Sequence, residues 1–191
     1  MTEFTQDWFS HNIPGMQSVV NQIPEIKKVL EIGSFEGRSA CWFLEEVLDD
    51  SGKLCCVDNF GGSLEHTQFD FNEVKRKFLT NTSQVKKPNQ HLHLVEKSST
   101  VALADLIVHN ATFDFIYIDG SHTSPDTLTD ACMAFQLLKK GGGMVFDDYL
   151  WEMHTGIIRS PKAAIDMFVM LFSEQCRVVL NGYQVGVIRT A

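Results

Sequence analysis

Residues 113–151 read FDFIYIDGSHTSPDTLTDACMAFQLLKKGGGMVFDDYLW, and this stretch decides the architecture. Phe113 to Ile118 is a run too apolar to keep a wet face, so it reads as a strand buried on both sides. Ser124-Pro125 then opens a helix, with a polar cap followed by proline in the first turn. Leu128, Ala131, Cys132, Phe135 and Leu138 share one helical face, and Gly141 to Gly143 are expected to end the helix. Met144 to Phe146 reads as the next strand. Asp119 closes the first strand of this unit and Asp147-Asp148 close the second. A strand–helix–strand unit makes its strands parallel neighbours, which puts all three carboxylates at the sheet edge where open α/β folds bind ligands.

Working outward, the same alternation fills the rest of the chain. Upstream lie strands at Lys28 to Ile32, Leu54 to Val57 and His91 to Val95. Between them fall helical patterns at Ser39 to Leu48, Asp70 to Asn81 and Thr100 to His109, and a short helix, Pro14 to Asn21, precedes them all. Downstream, Pro161 to Phe172 is amphipathic. Arg177 to Leu180 and Tyr183 to Arg189 flank Asn181-Gly182, a strong two-residue hairpin signal. No repeat, low-complexity tract or long linker interrupts the 191 residues. The expectation is one domain: an N-terminal helical segment over 1–27, able to act as a lid, and a core over 28–191. The fold class is α/β, a Rossmann-like, seven-stranded, mostly parallel sheet with a C-terminal antiparallel hairpin and helices on both faces.

Three converging carboxylates repel one another unless a cation neutralises them. Asp119, Asp147 and Asp148 therefore form a candidate metal set, and all-oxygen ligation suits Mg²⁺ or a similar divalent ion. Solvated strand-end carboxylates, one capping a helix, are the plainer alternative.

The first strand–helix turn reads Leu30-Glu31-Ile32-Gly33-Ser34-Phe35-Glu36-Gly37-Arg38-Ser39. It lacks the dinucleotide pattern G-x-G-x-x-G. Its E-x-G-x-x-x-G spacing, with Ser39 beyond, resembles the first motif of class I S-adenosylmethionine-dependent methyltransferases, the catechol and caffeoyl-CoA O-methyltransferase branch above all. The terminal hairpin agrees, because nicotinamide dehydrogenase sheets are usually all parallel. The paired Asp147-Asp148 and the Gly-Ser-His after Asp119 look more like antibiotic-sugar O-methyltransferases and cephalosporin-hydroxylase-like proteins. The cation-dependent O-methyltransferases carry Asp, Asp and Asn at these three places, so the chain departs from them only at Asp148.

The resemblance implies a cofactor, S-adenosylmethionine, held by Glu31, Gly33, Ser34, Phe35, Ser39 and Asp119. It implies that Asp58 accepts the ribose hydroxyls, that Asn59 flanks the adenine, and that Ser98 and Ser99 meet its polar edge. His122 stands where catechol O-methyltransferases place a catalytic lysine, and an imidazole titrating near neutrality suits a general base. Asp119 and His122 are thus the candidate catalytic pair. The implied reaction is magnesium-assisted methylation of a small hydroxylated acceptor, a sugar diol or a catechol. The rivals are a hydroxylase-like enzyme on the same fold and a silent cofactor-binding or regulatory protein.

Composition narrows the partners. Sixteen Lys and Arg against 24 Asp and Glu give a net charge of −8, which opposes a phosphate backbone. The expectation is a small-molecule acceptor, no nucleic acid and no membrane, with a homodimer compatible. Met1 to Asn12 has no basic start or apolar core, so it does not read as a signal peptide. The five cysteines form no C-x-x-C pair, as in reduced cytoplasmic proteins. His66, His109 and His154 have no assignable partner, and His91 and His93 are expected on an exposed strand face. Trp8-Phe9-Ser10-His11-Asn12 is expected to anchor on the domain or to fold over the cofactor.

Overall fold

A computed structural model describes residues 2–62, 68–151 and 160–191. The strands are β1 (Lys28–Ile32), β2 (Lys53–Val57), β3 (His91–Val95), β4 (Phe113–Ile118), β5 (Leu138–Phe146), β6 (Cys176–Asn181) and β7 (Val185–Arg189). They form one seven-stranded sheet in the order β3-β2-β1-β4-β5-β7-β6. β1 through β5 pair in parallel, and β7 runs antiparallel between β5 and β6. The strand order reverses between β1 and β4, so a crevice opens there at the carboxyl edge.

The sheet separates two hydrophobic layers. One face buries Leu30, Ile32, Ile116, Ile118, Met144 and Phe146 with α4 (Ser99–Val108), α5 (Ser124–Leu137) and α6 (Lys162–Leu171). The other buries Val29, Phe115, Tyr117 and Val145 with α1 (Ile13–Val20), α2 (Arg38–Trp42) and α3 (Phe71–Val85). Every residue of β4 is buried, the outcome that a continuous apolar run demands. His91 and His93 alternate on the exposed face of edge strand β3.

The expected elements are present, with differences in detail. The helix expected over Ser39 to Leu48 is a short α-helix that widens into a π-turn, Phe43–Val47, closed by Leu48 N–H donating to Phe43 O at 2.9 Å. α3 runs four residues past its expected end, with Asp70 capping it by accepting from Asn72 N–H at 3.0 Å. α5 stops at Leu137, not at the glycines. Leu138 is already extended and pairs with Phe113 in the sheet. The register then shifts, and Gly141 takes φ +80° while a Cβ on Gly142 would lie 2.7 Å from Asp114 O. The glycine run lets β5 kink past its neighbour and is part of the strand.

The hairpin differs as well. Asn181 pairs with Val185, so the connection is the three residues Gly182-Tyr183-Gln184 in place of a two-residue Asn-Gly turn. The longer loop carries Tyr183 and Gln184 to the carboxylates at the end of β5.

Candidate active site

Glycine at 33 answers to the sheet itself. Its φ is +84°, and a Cβ there would lie 1.8 Å from Asp119 O, inside the backbone leaving β4. Gly33 thus permits β1 and β4 to end in contact, while its N–H donates to Val57 O at 2.9 Å. Glu31 is fully buried on β1. Its two oxygens accept from Ser34 Oγ and Ser39 Oγ, each at 2.5 Å, and burial pushes its carboxyl upward. Glu31, Ser34 and Ser39 therefore brace the turn from within.

Asp58 ties this turn to the end of β2. Oδ2 accepts the backbone N–H of Ser34 at 2.9 Å and of Phe35 at 3.0 Å, and Oδ1 accepts that of Phe60 at 2.7 Å. Phe35 adopts φ +46° and packs with Trp8 and Phe69 at ring distances of 5.0 and 5.1 Å. Asn59 is exposed, and its Oδ1 accepts from Gly61 N–H at 2.7 Å. Ser98 opens α4 through its carbonyl, which accepts from Ala102 N–H at 3.0 Å, and its hydroxyl makes no cap bond.

The carboxylates at the ends of β4 and β5 do converge, but they divide the work. Asp119 and Asp148 offer ligand atoms, with His122, that all lie within 4.8 Å of one another. His122 Nε2 lies 2.9 Å from Asp148 Oδ2, and its ring packs on Trp151 at 4.6 Å. Asp147 is turned inward. Its oxygens accept from Asn12 Nδ2 at 2.8 and 3.1 Å, from Gln184 Nε2 at 3.1 Å and from Asp148 N–H at 2.7 Å, and it bonds the Tyr117 hydroxyl. Tyr183 OH donates to Asp148 Oδ1 at 2.7 Å.

These surroundings set the charges. Burial and the neighbouring charges of Asp147 and Asp148 raise the Asp119 carboxyl well above its ordinary range. Burial, with the Asp148 charge, pushes Asp147 up to about 6. Burial works against Asp148 as well, yet hydrogen bonds from His122 and Tyr183 hold it below the usual value. Two carboxylates are thus kept reluctant to ionise beside a third that His122 and Tyr183 hold ionised.

Asn12, Tyr117, Tyr183 and Gln184 are members that the sequence reading missed. Tyr117 is hidden in an apolar run that reads as core, and the others come from opposite ends of the chain. The segment before α1 does more than anchor. Phe9 packs on Trp42 and Tyr117, which delivers Asn12 to Asp147. Further back, Thr5 donates through N–H and hydroxyl to buried Glu36 at 2.5 and 2.6 Å. His66 and His154 lie outside the described residues.

This strand order with these strand-end groups defines a Rossmann-like methyltransferase fold. A family model described as a methyltransferase domain matches residues 30–149, and the chain belongs to that family. No curated protein matches the sequence. Among solved structures, an O-methyltransferase from Bacillus cereus, in complex with S-adenosylhomocysteine, superposes with a TM-score of 0.69 at 15% identity, covering 98% of this chain and 84% of that one. The O-methyltransferase TomG from Streptomyces achromogenes, involved in tomaymycin synthesis and solved with S-adenosylmethionine, gives 0.64 at 14%, covering 98% and 82%. A putative rRNA methylase from Clostridium thermocellum gives 0.70 at 12%, covering 97% and 98%. These likenesses are of fold.

Proposed function

We propose that this chain is an S-adenosylmethionine-dependent O-methyltransferase acting on a small hydroxylated acceptor, such as a sugar diol or catechol, with a divalent cation at Asp119, His122 and Asp148. The observation that carries the reading is the convergence of those three groups within 4.8 Å beside the crevice bounded by Gly33 and Asp58. The cofactor and the O-directed chemistry are supported by the solved neighbours that hold S-adenosylmethionine or its product. A net charge of −8 supports a small acceptor over nucleic acid.

The donor set fits a cation. Asp119 resists ionisation because burial and negative neighbours surround it, and positive charge would relieve both. Two carboxylates with one imidazole accept magnesium or manganese, and the imidazole widens the choice toward other transition metals. Such an ion supplies Lewis acidity that lowers the pKa of an acceptor hydroxyl. Asp147, held by Asn12, Tyr117 and Gln184, positions the turn that presents Asp148. With three of its about four acceptor positions taken by backbone N–H groups, Asp58 keeps one, on Oδ1, for a ribose hydroxyl of the donor. A methyl donor held in the crevice would supply an electrophilic methyl group whose carbon–sulfur pair returns to sulfur, and with His122 serving as a ligand the acceptor proton would pass to solvent. Holding oxygen, carbon and sulfur in line contributes most of the rate.

The His122–Asp148 contact favours a second reading, in which Asp148 orients His122 to take the acceptor proton without a metal. Labelled methyl transfer to catechols and sugar diols, with added cation or with EDTA, separates the two. Loss of turnover in EDTA with adenosylhomocysteine binding retained is the expected result. Full activity in EDTA leaves the metal-free mechanism. Cofactor binding without transfer to any acceptor, or a different product, overturns the O-methyltransferase assignment in favour of a silent binding protein or other chemistry on this fold.

A further inference from the structure

On one face of the sheet the helices lie in the order α4, α5, α6, and past α6 the strand β6 ends the sheet with a free edge. The inner side of α6 sends Ile165 and Phe168 into the core. Its outer side carries Met167, Met170 and Leu171, which are neighbours on one helical surface, at 42%, 61% and 61% exposure. Val178 of β6 is 41% exposed as well. It shares the α6 face of the sheet with buried Cys176, two residues earlier. Thr190 N–H donates to Gln175 O at 2.8 Å. In the alternation of an antiparallel ladder, Arg177 therefore turns its backbone groups to β7 and Val178 turns them outward. Arg177 is the one charged residue of this strand, and its guanidinium reaches Gln22 at the α1 face. The strand thus puts no charge on the α6 side, where free edges ordinarily carry one against pairing. These four side chains leave on the order of 400 Å² of apolar surface to water, the scale at which a patch on a single copy marks an interaction site.

We infer that this side of the molecule is a homodimer interface, with α6 packed antiparallel against α6 of a second copy and the two β6 edges alongside. A twofold axis sets the patch against itself, so one apolar surface serves both copies. Two such patches form the apolar centre of an interface of roughly 800 Å² per partner, rimmed by the polar ends of α6. Methionine suits that centre, where interfaces are rich in Met and poor in charge. In a chain of net charge −8, copies approach closely only where acid is scarce or paired, and Asp166 is paired with Lys162 at 2.7 Å. Lys162 begins α6 and Glu174 follows its end. Antiparallel packing therefore brings the basic start of each helix to the acidic end of the other. The inference does not depend on the proposed reaction.

Sedimentation velocity of the full chain from about 1 to 100 μM tests it, with Met170→Glu, Leu171→Glu and Val178→Lys as variants. All three residues are exposed in the single copy, so each variant should keep the wild-type far-ultraviolet circular dichroism spectrum. The wild type should sediment as a dimer with a Kd of about 10 μM or tighter. Either glutamate should weaken association by about 100-fold or more, because the twofold axis buries the new charge twice. Val178→Lys should weaken it by about 10-fold or more, and it decides the matter if a helix variant fails to fold. A wild type that stays monomeric up to about 100 μM overturns the inference. So does a dimer that the folded variants leave intact, which would place the contact on another surface.

Discussion

At the scale of single residues, the site rests on side chains whose work is done on other side chains. Asn12 is buried and both of its contacts to Asp147 are hydrogen bonds to a carboxylate. Asn12→Ala should cost about 1.5–3 kcal/mol in urea unfolding. A change below about 0.5 kcal/mol would show that Asp147 does not depend on it. Gly33 is a harder constraint, because its added Cβ meets backbone and its φ is positive. Gly33→Ala should destabilise by roughly 3–5 kcal/mol or prevent folding, and near-native stability would contradict the β1–β4 contact described here. Residue types at strand ends were readable in advance: Asp58, Asp119 and Asp148 follow apolar runs, and a strand's end leads directly to the crevice. Their division of labour was not readable. Asp147 and Asp148 are adjacent in sequence, yet one is enclosed by donors 30 to 135 residues away. Local pattern carries no trace of such partners. Asp130 is a different case: Thr127, Asp130, Ala131, Ala134 and Phe135 form one buried helical stripe, so a polar residue on that stripe was there to be noticed.

Among elements, the informative boundary is that between α5 and β5. Leu138 continues the apolar face of Leu128, Ala131 and Phe135, and it suits a buried strand equally, so periodicity alone cannot place the break. The sheet decides it by pairing Leu138 with Phe113. The β6–β7 hairpin shows a similar override. Asn-Gly would close a two-residue turn in isolation, but the three-residue loop takes Tyr183 and Gln184 to Asp148 and Asp147 and gains two bonds to carboxylates. Deleting Gly182 to enforce a tight turn should therefore keep β7 paired to β5 while withdrawing both side chains. The expected outcome is a folded protein that loses cation affinity by about tenfold or more, the scale on which supporting groups tune metal sites. Unchanged affinity in a calorimetric titration with manganese would show that the loop plays no part.

For the whole molecule, pH probes the buried acids. An acid whose folded pKa lies above its unfolded value loses stability as pH rises between the two. Asp130 stands at about 6 when folded, against roughly 3.9 in an unfolded chain. Its contribution should thus fall across pH 4 to 6 and remain low above. Asp130→Asn should leave stability near wild type at pH 4 and raise it by about 2–3 kcal/mol at pH 8. Denaturant melts at the two pH values check this, and an equal effect at both would deny the carboxylate its buried charge.

The bond from Asn12 to Asp147 also bears on how the polypeptide is made. It spans 135 positions, and Gln184 must be in place to complete the same cluster. A ribosome-bound chain that has emerged only through β5 holds the whole parallel half of the sheet but lacks the strand and loop that close its acidic turn. Contacts of such long sequence separation are slow to form and come after local ones. The first dozen residues can settle early on Glu36, Trp42, Asn81 and Tyr117, but Asn12 meets Asp147 only once β5 has emerged, and the acidic turn is closed only when Gln184 follows.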